Sequence, residues 1–140
     1  MLQQDVTHKE CPCGSQKPFD YCCKPIIEGQ KPAPTAEALM RSRYTAFALG
    51  AIDYLVDTTA PEKRGKDDAE LLADQVKYTN WVGLTILSTE QGQPSDQTGS
   101  VEFEAHFETE DQRGVLHEKS NFRKDEGFWV YVDGDVEVRT

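Results

Sequence analysis

Apolar residues recur every three or four positions at Ala36, Leu39, Met40, Tyr44, Phe47 and Ala48, the spacing of a helix with one buried stripe. Thr35 is a natural N-cap, Glu37 suits the positive helix end, and Gly50 is a natural stop, which predicts a helix over 36–49 and a short second segment through Val56. Residues 59–66, with Pro, Gly and charges, read as a loop. Asp67 and Glu70 then form a capping-box pattern, and Leu71, Leu72, Gln75, Val76 and Thr79 follow one stripe, predicting a third helix to Tyr78.

From Trp81 the period falls to two. Val82, Leu84 and Ile86 alternate, residues 91–99 form a polar loop, and Val101, Phe103, Ala105 and Phe107 alternate with Glu102, Glu104, His106 and Glu108. That strand has a buried face and a wet face. A hairpin loop over 110–113 would set Ala105 opposite Glu118, Phe103 opposite Ser120, Val101 opposite Phe122 and His106 opposite His117. A turn at Asp125, Glu126 and Gly127 leads into a last strand over 128–132. The pattern predicts an α+β fold, its helices packed on a curved antiparallel sheet.

The 140 residues suffice for one core and a small appendage, and a second full core would need a longer chain. No apolar run approaches the roughly 18 residues of a membrane span, and the first ten residues lack the apolar stretch of a signal peptide. A cytoplasmic protein is expected. The net charge of -10 disfavours nucleic acid as a partner, because that affinity comes from Lys and Arg displacing counterions.

All four cysteines fall in one stretch, Cys11 and Cys13 flanking Pro12, then Cys22 and Cys23 adjacent. A short loop with two thiolates at each end can wrap the four corners of a Zn²⁺ tetrahedron, and Gly14 allows a sharp turn after the first pair. One structural Zn²⁺ per chain is the expectation. Disulfides and free thiols are the alternatives, the first disfavoured by the adjacency of Cys22 and Cys23 and by a reducing compartment.

The stretch from Cys11 through Pro12, Cys13, Gly14, Ser15, Gln16, Lys17, Pro18, Phe19, Asp20 and Tyr21 to Cys22 and Cys23 resembles the SEC-C zinc motif, also found at the C-terminal end of the SecA translocation motor. Leu39-Met40-Arg41-Ser42-Arg43-Tyr44-Thr45-Ala46-Phe47, Asp53-Tyr54-Leu55 and the segment from Gly127 to Gly134 resemble the YchJ family of uncharacterised bacterial proteins. The resemblance covers nearly the whole chain. It implies a SEC-C motif over 1–30 followed by an NTF2-like (cystatin-like) cone over 35–140, about three N-terminal helices against a curved antiparallel sheet. Unlike many YchJ-like proteins, the sequence reaches Arg139 and Thr140 without a second SEC-C motif, which weakens any role needing two zinc modules.

No phosphate-binding Gly-rich loop, nucleophile elbow or helical His-Glu-x-x-His motif is present. His106 and His117 read as part of a solvated polar ladder, with a metal or catalytic role the alternative. Arg43 shares the stripe of Met40, Tyr44 and Phe47, whereas Arg41 is free to face water. An inward Arg43 needs a partner, and the core-facing Glu118 offers a bidentate one. The sharper reading is a pocket in which Arg43, Tyr44, Glu118, Ser120, Trp129 and Tyr131 hold a small anionic or polar ligand. Lys17, Phe19, Tyr21 and Lys24 form a candidate surface for an acidic partner protein. A non-catalytic adaptor acting through the zinc segment is therefore expected, with an NTF2-like small-ligand-binding protein or enzyme as the alternative.

Overall fold

Residues 9–140, those the computed structural model describes, form four helices and then four strands. The helices are α1 (Cys23–Ile27), α2 (Ala36–Leu49), α3 (Ile52–Asp57) and α4 (Asp68–Tyr78), with short 3₁₀ turns at Phe19–Tyr21 and Pro61–Lys63. The strands are β1 (Asn80–Gln91), β2 (Thr98–Glu108), β3 (Arg113–Asp125) and β4 (Phe128–Arg139), paired antiparallel in the order β1-β2-β3-β4. Residues 1–8, the start of the expected 1–30 zinc segment and most of the stretch read for a leader, lie outside the described residues. Among the described residues no helix is long and apolar enough to cross a membrane.

The central helix has the expected bounds. Thr35 is extended and its Oγ1 accepts the Ala38 amide at 3.0 Å, satisfying a donor that the first turn leaves free. The expected single stripe is too narrow, however: Ser42, Thr45 and Ala46 are buried along with Leu39, Met40, Arg43 and Tyr44, and Ala48 is exposed. Helix α2 crosses β1, β2 and β4 on one side and meets α1 and α3 on others, so most of its circumference is covered.

Helix α4 is the opposite case, burying no residue, with Leu71 64% exposed. Its capping box does not form, because Asp67 (φ -100°, ψ 4°) lacks the extended backbone an N-cap needs; Asp68 Oδ2 instead accepts the Gly65 amide at 2.7 Å.

In the sheet, Val101, Phe103, Ala105, Phe122 and Trp129 face the helices. Val82 departs from the expected alternation: it is the extra residue of a bulge between Trp81, opposite Phe107, and Gly83, opposite His106, and it is 55% exposed. The β2–β3 register differs by two residues from the expected one, pairing Ala105 with Leu116, Phe103 with Glu118 and Val101 with Ser120. The cause is the turn, which closes one residue earlier with Thr109 N donating to Gln112 O at 2.8 Å. A shift of two preserves the faces, so Glu118, Ser120 and Phe122 still point inward. His106 and His117 are not opposed: His106 faces Val115, and His117 Nε2 lies 2.7 Å from Glu102 Oε2 on the outer face. Glu126 and Gly127, with φ of 52° and 87°, make the two-residue turn into β4, which runs seven residues beyond the expected end at Val132 to Arg139.

Leu39 and Leu71 were both read as stripe residues, and their burial separates them. Leu39→Ala is expected to lower unfolding free energy by about 2–5 kcal/mol, and Leu71→Ala to change it by less than about 0.5 kcal/mol, in urea titrations followed by circular dichroism.

Candidate functional site

The cysteine loop is closed by backbone hydrogen bonds before any metal is considered. Cys11 N donates to Lys17 O at 2.8 Å, Phe19 N to Lys9 O at 2.8 Å and Gly14 N to Cys11 O at 3.2 Å. The 3₁₀ turn at Phe19–Tyr21 then returns the chain, so that Cys22 and Cys23 face the first pair. All four Sγ atoms lie within 4.8 Å of one another, with Cys13–Cys22 at 3.6 Å and Cys22–Cys23 at 4.0 Å. These separations are far beyond a disulfide bond of about 2.05 Å. They bracket the sulfur–sulfur edge of about 3.8 Å in a tetrahedron with metal–sulfur bonds of about 2.3 Å. Cys11, Cys13 and Cys23 are buried and Cys22 is half-buried. The donor set therefore fits a soft metal ion, and the four cysteines could hold one.

Two side chains of α2 reach this cluster. Arg41, expected in water, donates from Nη1 to Cys13 O at 2.7 Å, with Cys13 Sγ 3.9 Å away, and its Nε binds Glu37 Oε2 at 2.9 Å. Thr45, one turn further, donates to Cys23 Sγ at 3.3 Å and lies 3.7 Å from Cys11 Sγ. Ser15 Oγ lies 3.2 Å from Cys22 Sγ. Hydrogen bonds from Cys11, then Cys23 and Ser15, hold the Cys13 thiol far below its ordinary pKa. The Cys11 thiol is pushed up by its bond to Cys13, and that of Cys23 by its bonds to Cys11 and then Cys13. A metal binds the deprotonated sulfur, so the thiol protons leave as the ligands bind.

Across α2 lies a second feature, a cavity of about 170 Å³ against the inner face of the sheet. Arg43, Tyr44, Glu118, Ser120 and Tyr131 line it. Trp129 does not: it turns inward but lines a separate cleft beside Leu39 and Tyr54. The expected bidentate Arg43–Glu118 pair is also absent. Arg43 Nη1 instead donates to Leu55 O at 2.9 Å and Thr58 Oγ1 at 2.7 Å, because the C-terminus of α3 offers carbonyl groups without helical partners. Arg43 Cζ lies 4.8 Å from the centre of the Tyr131 ring, and Glu118 Oε2 accepts from Tyr131 OH at 2.7 Å and Ser120 Oγ at 2.9 Å. Burial lowers the Arg43 pKa to about 10, which leaves it charged at neutral pH. Met40, Trp81 and Phe103 also form the wall and were not singled out, although the β2 alternation already turned Phe103 inward.

On the candidate partner surface, Lys17 and Tyr21 are exposed, Lys24 lies 3.7 Å from Asp20, and Phe19 is half-buried against the core.

A family model described as the middle NTF2-like domain of YchJ matches residues 35–134. The chain belongs to the YchJ family. A UPF0225 protein of Geobacter sulfurreducens is 43% identical over 124 residues, covering 89% of this chain and 77% of that protein. The solution structure of a SEC-C motif containing protein from Rhodopseudomonas palustris superposes with a TM-score of 0.82 at 37% identity, covering 90% of this chain and 97% of the other. The crystal structure of a SEC-C motif containing protein from Psychrobacter arcticus gives 0.76 at 29% identity, covering 100% and 88%. The fold of the chain is thus α+β and NTF2-like, with its cysteine cluster docked on the central helix.

Arg41→Ala is expected to weaken metal retention by about ten- to hundredfold in chelator competition, while leaving one metal per chain at saturation, because the arginine orients and neutralises the thiolates without ligating.

Proposed function

We propose that the cysteine centre is a structural zinc site, that the loop is a SEC-C motif, and that the protein acts as a non-catalytic adaptor. Four thiolates fill all four corners of the ion, so no coordination position is left for a substrate. When bound, zinc supplies folding free energy to a loop with little core of its own. A four-thiolate site needs reduced cysteines, which a reducing cytoplasm would maintain.

The observation that carries the adaptor reading is Tyr21. It adjoins the ligand Cys22 on a loop fixed by the metal, yet is 70% exposed. With Lys17, Lys31 and Ile26 it borders a groove between the loop and the start of α2. A rigid aromatic ring among lysines suits an acidic protein surface, and presenting it on a metal-fixed loop lowers the ordering cost of binding. Phe19, by contrast, contributes to loop packing.

Protein purified under reducing conditions is expected to contain one zinc per chain by elemental analysis, reduced by Cys22→Ser, and chelation should perturb the loop while the sheet signal persists. In affinity capture, a Lys17→Ala, Tyr21→Ala double variant that retains zinc should lose the partners that intact protein recovers. Equal recovery by both would overturn the adaptor reading while leaving the zinc site standing.

A further inference from the structure

The cavity behind α2 contains two ionisable side chains that do not pair with each other. Arg43 is almost fully buried, and its hydrogen bonds all leave from Nη1, to Leu55 O, Thr58 Oγ1 and, at 3.4 Å, Thr59 Oγ1. Among the described residues none engages Nε or Nη2. Glu118 accepts both of its hydrogen bonds, from Tyr131 and Ser120, on Oε2, and none on Oε1. The Tyr131 ring lies between them, under the guanidinium and bonded to the carboxylate through its hydroxyl.

A buried cation and a buried carboxylate, each with unused hydrogen-bonding capacity, are costly unless something completes them. A ligand bearing only a carboxylate would meet Arg43 favourably and Glu118 unfavourably, and a simple amine would face the reverse. A molecule carrying both charges satisfies both residues. Most of the rest of the wall is apolar, with Met40, Phe47, Phe103, Ala105 and Leu116, and it also carries Tyr44 and Trp81, whose buried indole N–H has no partner. At about 170 Å³ the space is close to that of an engineered cavity of about 150 Å³ that holds benzene. Gln75, a solvent-exposed residue of α4, completes the wall, and α4 buries none of its side chains.

We propose that this cavity binds a small zwitterion with an apolar body, of the size of a branched-chain amino acid, its carboxylate on Arg43 and its ammonium on Glu118. Gly134 makes room for this arrangement: a methyl group at that position would overlap the Glu118 carboxylate. The site is independent of zinc chemistry and of the Tyr21 groove.

The test is isothermal titration of the full, metal-loaded chain with L-leucine, 4-methylpentanoate and 3-methylbutylamine, which share one skeleton and differ in charge. Saturable binding of leucine is expected, with each singly charged analogue weaker by about ten- to hundredfold, the scale of one charge-assisted hydrogen bond. Glu118→Gln keeps the side-chain shape and should erase leucine's advantage over 4-methylpentanoate. No saturable leucine binding up to about 10 mM, a limit weaker than any useful site of this size, would overturn the proposal, as would equal affinity for all three compounds. The analogue series on the unmodified chain decides the matter even where Glu118→Gln fails to fold.

Discussion

Burial of α2 on most of its circumference is the constraint from which the rest of the molecule follows. A helix in that position cannot leave polar side chains to water, so each must find a fixed partner. Ser42 Oγ donates to Leu39 O at 2.8 Å and lies 2.6 Å from Tyr54 OH, tying α2 to α3. Arg41 and Thr45, four residues apart and hence on one face, turn to the cysteine loop. Arg43 and Tyr44 turn to the sheet. In the segment 39–47 that carries the family resemblance, each buried polar residue is thus assigned to a surrounding element, which explains why polar types occupy positions that simple amphipathicity would give to leucine.

The same constraint makes the cysteine loop part of the core. Cys11, Cys13 and Cys23 belong to one buried cluster with Leu39, Met40, Tyr44 and Phe103, so the sulfur atoms serve as packing surface as well as donors. Four thiolates around a divalent ion would place two net negative charges beside α2. Arg41 answers them locally, in a chain whose overall charge of -10 offers little positive potential from elsewhere. The loop is therefore coupled to the larger body both by core packing and by one guanidinium and one hydroxyl from α2.

What the sequence disclosed was what neighbouring residues decide. Thr35, the periodic apolar residues and Gly50 together bound α2 without reference to the remainder of the chain, and the spacing of the cysteines foretold their convergence. The failures lie where a distant partner decides. Arg41 looks like a surface residue until the loop at Cys13, 28 positions away, is folded against it. Arg43 was correctly turned inward, but the α3 carbonyl groups that take it, in place of Glu118, cannot be found by matching opposite charges. The β2–β3 register turned on a one-residue displacement of the turn, and the exposure of Val82 on a bulge that no alternation rule contains. In both strands the period of two still reported the correct face for β2 and β3, because a slip of two residues leaves face unchanged.

Tyr131 shows how the cavity keeps its two charges apart. Its amide donates to Thr58 O at 2.8 Å and its carbonyl accepts from Ala60 N at 2.8 Å, a short parallel bridge that fixes β4 to the segment following α3. Thr58 and Thr59 in that same segment hold Arg43. The guanidinium and the ring beneath it are therefore positioned by one piece of backbone, and Glu118 is drawn to the far end of the ring by the phenol hydroxyl. Closing the gap into a direct ion pair would require breaking the Thr58 and Thr59 contacts, the bridge to β4 or the phenol–carboxylate bond, each a buried polar interaction whose loss leaves a partner unsatisfied. The separation is thus a property of the fold, and the cavity that both charges line is preformed, which spares a ligand the cost of creating it.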